Sequence, residues 1–170
     1  MSHSGIVESY YVGRYAVEIS TDGTTWTAVS NASVKLDDVE LNRPSGEAYV
    51  GGSSDWATIT VGKREPVEIT LTFLYNEDAA AAVTTVLSQF ETSSALLGVR
   101  WAPRGLVGGA RAFSTSNDGA NTHRGVITNV TLATIDPSDA NPYVAMVTVR
   151  TPTLRRYTIA ASNPTDLSPA

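Results

Sequence analysis

A chain of 170 residues, 42% hydrophobic and 17% charged, has enough apolar side chain for one folded domain and lacks the charge-rich profile of disorder. It contains no cysteine, which excludes a disulfide framework and a thiolate metal site. Its net charge of −5 argues against general affinity for nucleic-acid backbones, which takes basic surface.

Residues 1–12 read as an N-terminal arm. Glu8 interrupts them and no basic segment precedes an apolar block, so no secretory signal is expected. No uncharged apolar run approaches the ~20 residues that cross a bilayer, and a soluble product made in the cytoplasm is expected. Without a secretory route, Asn31-Ala32-Ser33 and Asn129-Val130-Thr131 match the glycosylation pattern by chance.

The domain proper is expected over residues 13–161, and its dominant pattern is alternation at period two, the mark of half-buried strands. Tyr15, Val17 and Ile19 alternate with Ala16 and Glu18, then meet Asp22-Gly23, a hairpin-turn pair, before Trp26 and Ala28. Asn31 to Leu36 suggests a third strand. Asp37 to Asp55 follows as a long inter-strand loop carrying Val39, Leu41, Tyr49 and Val50, apolar groups that a solvated loop does not need. Trp56 to Val61 forms a further strand. The clearest one places Val67, Ile69, Leu71 and Phe73 on one face and Glu68, Thr70, Thr72 and Leu74 on the other.

One helix is expected at about residues 77–91. Asn76 suits an N-cap, Glu77 and Asp78 suit the positive end of the helix dipole, and Ala79, Val83, Val86, Leu87 and Phe90 form an apolar stripe. Later strands are expected at Leu97–Ala102, Ala110–Ser114, Gly125–Ile135, Tyr143–Arg150 and Arg155–Ala160, with a hairpin through Asp136-Pro137-Ser138-Asp139. The stretch from Arg104 to Gly125 reads as a Gly/Ser/Asn-rich loop, and residues 162–170 as a flexible C-terminal arm.

Catalytic chemistry finds little support. Nucleophilic catalysis needs a base beside the nucleophile, and the two histidines, His3 and His123, fall in an arm and a loop. Gly62-Lys63-Arg64 lacks both the upstream glycine and the hydroxyl residue of a phosphate loop. Ser116 to Asn121 lacks the alternating acids of a calcium loop. Trp26 and Trp101 could floor a sugar site, but aromatics in sandwiches more often pack in cores or interfaces. The chain is expected not to be an enzyme, with no catalytic residue, metal or cofactor.

Charge is uneven along the chain. Residues up to Ala95 sum to −8 and those from Leu96 onward to +3, the latter with arginine as their sole basic residue type. Arginine is enriched at interfaces and lysine depleted, so Arg100, Arg104, Arg150, Arg155 and Arg156 are candidates for electrostatic contacts between copies. The plain alternative is a solvated surface with chance clustering.

Three segments in order carry a resemblance: Tyr15 to Thr27 with its Asp-Gly-x-x-Trp hairpin, the long loop ending Gly46-Glu47-Ala48-Tyr49-Val50-Gly51-Gly52, and Thr60 to Tyr75 followed at once by a helix. Together, over about residues 13–95, they resemble the major tail (tail tube) proteins of long-tailed, non-contractile bacteriophages, the siphophages. The resemblance implies a mainly β fold, an antiparallel β-sandwich or barrel of two packed sheets with one flanking α-helix and a long inter-strand loop. It implies six subunits joining their inner sheets into a ring, and rings stacking into a hollow tube that conducts double-stranded DNA into the host without binding it specifically. The loop at about Asp37 to Trp56 would then bridge stacked rings through Val39, Leu41, Tyr49, Val50 and Trp56. Implied partners are further copies of the chain and the tape measure, terminator and distal tail proteins, in a virion tail with no membrane contact. Alternatives are another sandwich-type virion component, such as a tail terminator or decoration protein, and a carbohydrate-binding sandwich.

Overall fold

The alternation at the start of the domain becomes strand β1 (Ala16–Ser20), paired antiparallel with β2 (Thr27–Val29) so that Val17 faces Val29 and Ile19 faces Thr27. The structure is a computed structural model describing residues 15–30, 32–42, 45–50, 57–61, 65–116, 125–134, 142–152, 154–160 and 162–169, with backbone alone at 45–50 and 57–61. The connection is wider than a two-residue turn. The Asp22 carboxylate accepts the amides of Thr24 and Thr25, both at 2.7 Å, and Gly23 takes a positive φ of 80°. The Thr25 and Thr24 amides hold that carboxyl well below the usual carboxylate range.

The remaining strands are β3 (Val34–Glu40), β4 (Ser45–Val50), β5 (Ala57–Val61), β6 (Val67–Leu74), β7 (Leu96–Ala102), β8 (Arg111–Ser114), β9 (Gly125–Leu132), β10 (Val144–Thr151) and β11 (Arg155–Thr158). Every pairing among the described strands is antiparallel. The fold is therefore mainly β, as expected. The two layers, however, are limbs of one nine-stranded sheet that is not closed into a barrel, and β4–β5 form a separate two-stranded ribbon.

Strand β7 joins the limbs. Its first two residues, Leu96 and Leu97, pair with Val126 and Gly125 of β9, while Gly98 to Ala102 pair with β1 and Arg100 and Trp101 also pair with β8. One layer is thus β2–β1–β7–β8–β11 and the other β9–β10–β6–β3. The handover at β7 requires close approach. A Cβ on Gly125 would lie 2.2 Å from Val149 Cγ1 and 2.9 Å from the Leu97 carbonyl oxygen.

Between the layers lies the main core. Val17 and Ile19 of β1 and Val99 and Trp101 of β7 meet Ile69, Leu71 and Phe73 of β6 and Val147 and Val149 of β10. Burying a side chain of this size stabilises by about 1.5–3 kcal/mol. Trp101 stacks on Phe113 with ring centroids 5.4 Å apart, so its indole is core rather than a platform for a ligand.

The helix is shorter than its sequence suggests. Helix α1 runs Ala82–Glu91, five residues later than expected, with no side-chain cap at Ala81. The Asn76 carboxamide accepts the Asp78 amide and the Asp78 carboxylate accepts the Ala80 amide, while the Thr84 hydroxyl donates to the carbonyls of both. These local turns consume the residues that composition assigned to a first helical turn. Val83 and Val86 are buried and Leu87 half-buried, but Ala79 and Phe90, expected in the stripe, are exposed.

The C-terminal segment departs furthest from expectation. Residues 162–169 are not a free arm: Leu167 is 0% exposed, and Pro169 bridges Ile159. The segment covers a second apolar cluster of Ala102, Ala110, Ala112, Tyr157 and Ile159, on the side of the β1–β7–β8–β11 layer away from the main core.

Candidate assembly interface

The β3–β6–β10–β9 layer has one face in the core and one face that none of the described residues covers. Along β6 the side chains of Val67, Ile69, Leu71 and Phe73 turn inward, which leaves Glu68, Thr70 and Thr72 outward beside Arg150, Thr148 and Met146 of β10. Asn129 and Thr131 of β9, and Lys35 and Asp38 of β3, continue this face through their register with β10 and β6. It is hydroxyl-rich and carries both signs of charge. Arg150 lies 3.7 Å from Glu68 with both side chains about half exposed, so the pair contributes little stability. Lys35 lies 2.5 Å from Asp37, whose other oxygen accepts the Thr72 hydroxyl.

This layer also ends in two unlike edges. Among the described residues, β3 at one side pairs only with β6, and β9 at the other pairs with β10 and touches β7 only near its start. The Ala133 amide donates to the Val144 carbonyl within the sheet, so the amide of Leu132, one residue back, points away from it. On β3, the Val34 carbonyl is taken by the Tyr15 hydroxyl at 2.5 Å and the Val39 amide by the Asp38 carboxylate at 2.8 Å. A bulge between Leu36 and Asp38 also bends this edge. These are devices that blunt an open edge against indiscriminate pairing.

Of the residues expected to bridge stacked copies, Val39 is half-buried against the core and Leu41, just beyond β3, is 67% exposed. Tyr49 and Val50 lie on β4, opposite Thr58 and Ala57 of β5. Trp56 lies outside the described residues, as do His3 and His123. The long excursion is therefore not a loop alone but contains a ribbon. It leaves the layer beyond the Glu40–Glu68 pair, where the Glu65 amide still reaches the Asn42 carbonyl at 3.3 Å.

The arginines separate into different surroundings. Arg100, expected at a contact between copies, is 6% exposed and ion-paired with Glu18 inside the subunit. The register explains this, because Arg100 and Glu18 sit directly opposite on β7 and β1 and point to the same side. Trp26 lies over the guanidinium at 4.5 Å, and its ring stands 3.0 Å from a Cβ built on Gly98, so a larger residue there would require the indole to give way by a few tenths of an ångström. Arg104 and Arg156 are exposed, Arg150 is on the open face, and Arg155 lies over the Tyr157 ring at 5.5 Å. Among the described residues no cluster of metal-ligating side chains occurs.

Neither a protein-family model nor a curated protein matches the chain. Solved structures do. A chain of the cryo-EM structure of an extracellular contractile injection system, the PVC sheath–tube complex in its extended state, superposes with a TM-score of 0.61 at 15% identity, over 94% of this chain and 99% of that one. A chain of the anti-feeding prophage baseplate gives 0.62 at 10% identity, over 85% and 93%. A chain of the PVC sheath/tube terminator in the extended state gives 0.61 at 13% identity, over 90% and 99%. The chain has the fold of tail-machine components. The solved structures that share this fold come from contractile injection systems, whereas the sequence segments resemble non-contractile phage tails.

Sequence reading missed Glu18, Tyr157 and Leu167, which with Arg100 build the covered outer face of the β1 layer. A signal was present. The non-core positions of β1, β7 and β8 include Ala16, Ser20, Gly98, Ala102, Ala112 and Ser114, small residues where a solvated face would carry long polar ones, and Glu18 and Arg100 stand out among them.

Proposed function

We propose that this chain is a structural tail-tube subunit that closes into six-membered rings, the β3 edge of one copy meeting the β9 edge of the next, with the rings stacked into a hollow tube. The observation that carries this reading is the four-stranded layer that, among the described residues, ends in two unlike edges and keeps one polar face open. Head-to-tail contacts between different patches generate rings, and joining edges gives a partner to outward groups such as the Leu132 amide, while the capped groups and bulge of β3 limit which strand can dock there. The open face of the layer then lines the channel. Its threonines and paired charges present no cationic stripe to grip phosphate, which suits a conduit for double-stranded DNA. The β4–β5 ribbon and Leu41 reach the adjoining ring, and the tube ends meet terminator, tape measure and distal tail proteins. A tube is common to the non-contractile tails that the sequence resembles and to the sheath–tube complex that the fold matches, so the tube is the assignment that both support. The localisation follows as the virion or tail particle, with no catalytic role.

Negative-stain microscopy of the concentrated protein tests this. Rings with six-fold symmetry and hollow filaments are the expected result; a preparation that stays monomeric at all concentrations would overturn it. The match to a terminator chain favours one second reading, a ring that caps a tube, and rings that never stack would select it.

A further inference from the structure

The outer face of the β1–β7–β8–β11 layer is covered by a peptide rather than by another sheet. Leu167 of the segment Ser162–Pro169 is fully buried in the cluster of small side chains around Ala102, Ala112 and Tyr157. Its backbone is held at both ends of the residue. The amide donates to Glu18 Oε1 at 3.1 Å, and the carbonyl accepts the Tyr157 hydroxyl at 2.6 Å. Further along, the Ala160 amide donates to the Ser168 carbonyl at 3.3 Å and Pro169 bridges Ile159. Ser162, Asn163, Thr165 and Asp166 are exposed.

Recognition therefore rests on one buried leucine and on two receptor side chains, Glu18 and Tyr157, that hydrogen-bond its backbone amide and carbonyl. The receptor is built for it. Alanines leave room for a branched side chain, and Arg100, buried under Trp26, fixes the Glu18 carboxylate so that its second oxygen points at the peptide amide. Without that amide, a buried carboxylate oxygen loses its partner.

We propose that this trough is a peptide-binding site, filled here in cis, that also takes the Ser162–Pro169 segment of a second copy of the chain. Cis and trans occupancy make the same contacts and differ only in the path of the link between Ile159 and Leu167, so exchange carries little intrinsic cost. The tether gives the cis segment an effective concentration on the order of mM. Trans occupancy is thus expected where copies are crowded side by side, and the segment then straps neighbours together. The proposal does not depend on the tube assignment.

A labelled peptide of the Ser162–Pro169 sequence, titrated into the full-length chain and followed by fluorescence anisotropy, provides the test. Binding should be about tenfold tighter to the chain carrying Leu167→Ala, whose own strap competes poorly, and should vanish when the peptide's leucine is alanine. No binding to the variant chain, or binding indifferent to the peptide's leucine, would overturn the proposal. Hydrogen exchange on the unmodified chain gives a second readout that needs no variant. Excess peptide should speed exchange in the protein's own residues 162–169 while β1 and β7 stay protected, and an unchanged strap would count against it equally.

Discussion

Glu18 uses one carboxylate oxygen for the Arg100 guanidinium and the other for the Leu167 amide, and so joins strands β1 and β7 to the C-terminal strap. Removing one member of a buried ion pair strands the other, which typically costs about 3–5 kcal/mol. Glu18→Gln should lower stability by an amount in that range, read as a shift in the urea midpoint. The double change Glu18→Leu with Arg100→Met should lose less, because only the Leu167 amide is then unpartnered. A single variant as mild as an ordinary surface substitution would mean that water reaches the pair.

Tyr157 gives the strap a pH dependence. Burial is the main cause that pushes its hydroxyl up to about 12 from the ordinary 10.0. The folded state keeps this proton where the unfolded chain releases it, so the contribution is complete below the unfolded value and is lost as pH climbs from about 10 to about 12. Tyr157→Phe removes that titration and the hydrogen bond to the Leu167 carbonyl. The variant should be less stable at pH 8, yet lose less further stability between pH 10 and 12 than the unmodified chain, as denaturant titrations at both ends of the window will show.

Leu132→Pro separates folding from assembly. The amide it removes points away from the sheet, and proline is tolerated on an edge whose N–H faces outward. The melting temperature should change by the equivalent of about 1 kcal/mol or less, while sedimentation should show association abolished. Normal filaments from this variant would exclude the β9 edge as a joining surface.

Arg156 is exposed on β11, beside the Arg155 that lies over Tyr157. Arg156→Glu should weaken self-association more at 50 mM salt than at 500 mM, because exposed charges are screened within about 10 Å at 0.1 M. Identical association curves at the two salts would assign Arg156 to bare solvent exposure.

Much of the fold was legible because strands announce themselves by period. The alternation of β6 sets its two faces residue by residue, and β1 and β10 follow the same rule. The helix was misplaced because Asn76 and Asp78 suit both a helix start and a pair of tight turns, and only the Thr84 hydroxyl, eight residues beyond Asn76, decides between them. Hairpin neighbours were legible, β1 with β2 and β9 with β10, but pairing between strands distant in sequence was not. Nothing local in Arg100 says that β1 will set Glu18 opposite it, and an arginine bound for the interior reads like one bound for the surface. The C-terminal segment was misread for a similar reason: a lone leucine among Ser, Asn, Pro, Thr and Asp signals an arm unless a trough of alanines elsewhere is known to await it. Gly125 carries the same lesson, since its need for a bare Cα comes from Val149, distant in sequence.

Two dissimilar borders on one layer have a kinetic consequence. When a pair of copies joins, it still offers one border of each kind, so a dimer is no more complete than a lone molecule and gives growth no place to pause. In the proposed ring, only closing the circle leaves nothing to extend. Intermediates between single chain and finished ring should therefore stay scarce at every concentration, and the natural twist of the strands sets how many copies the circle holds.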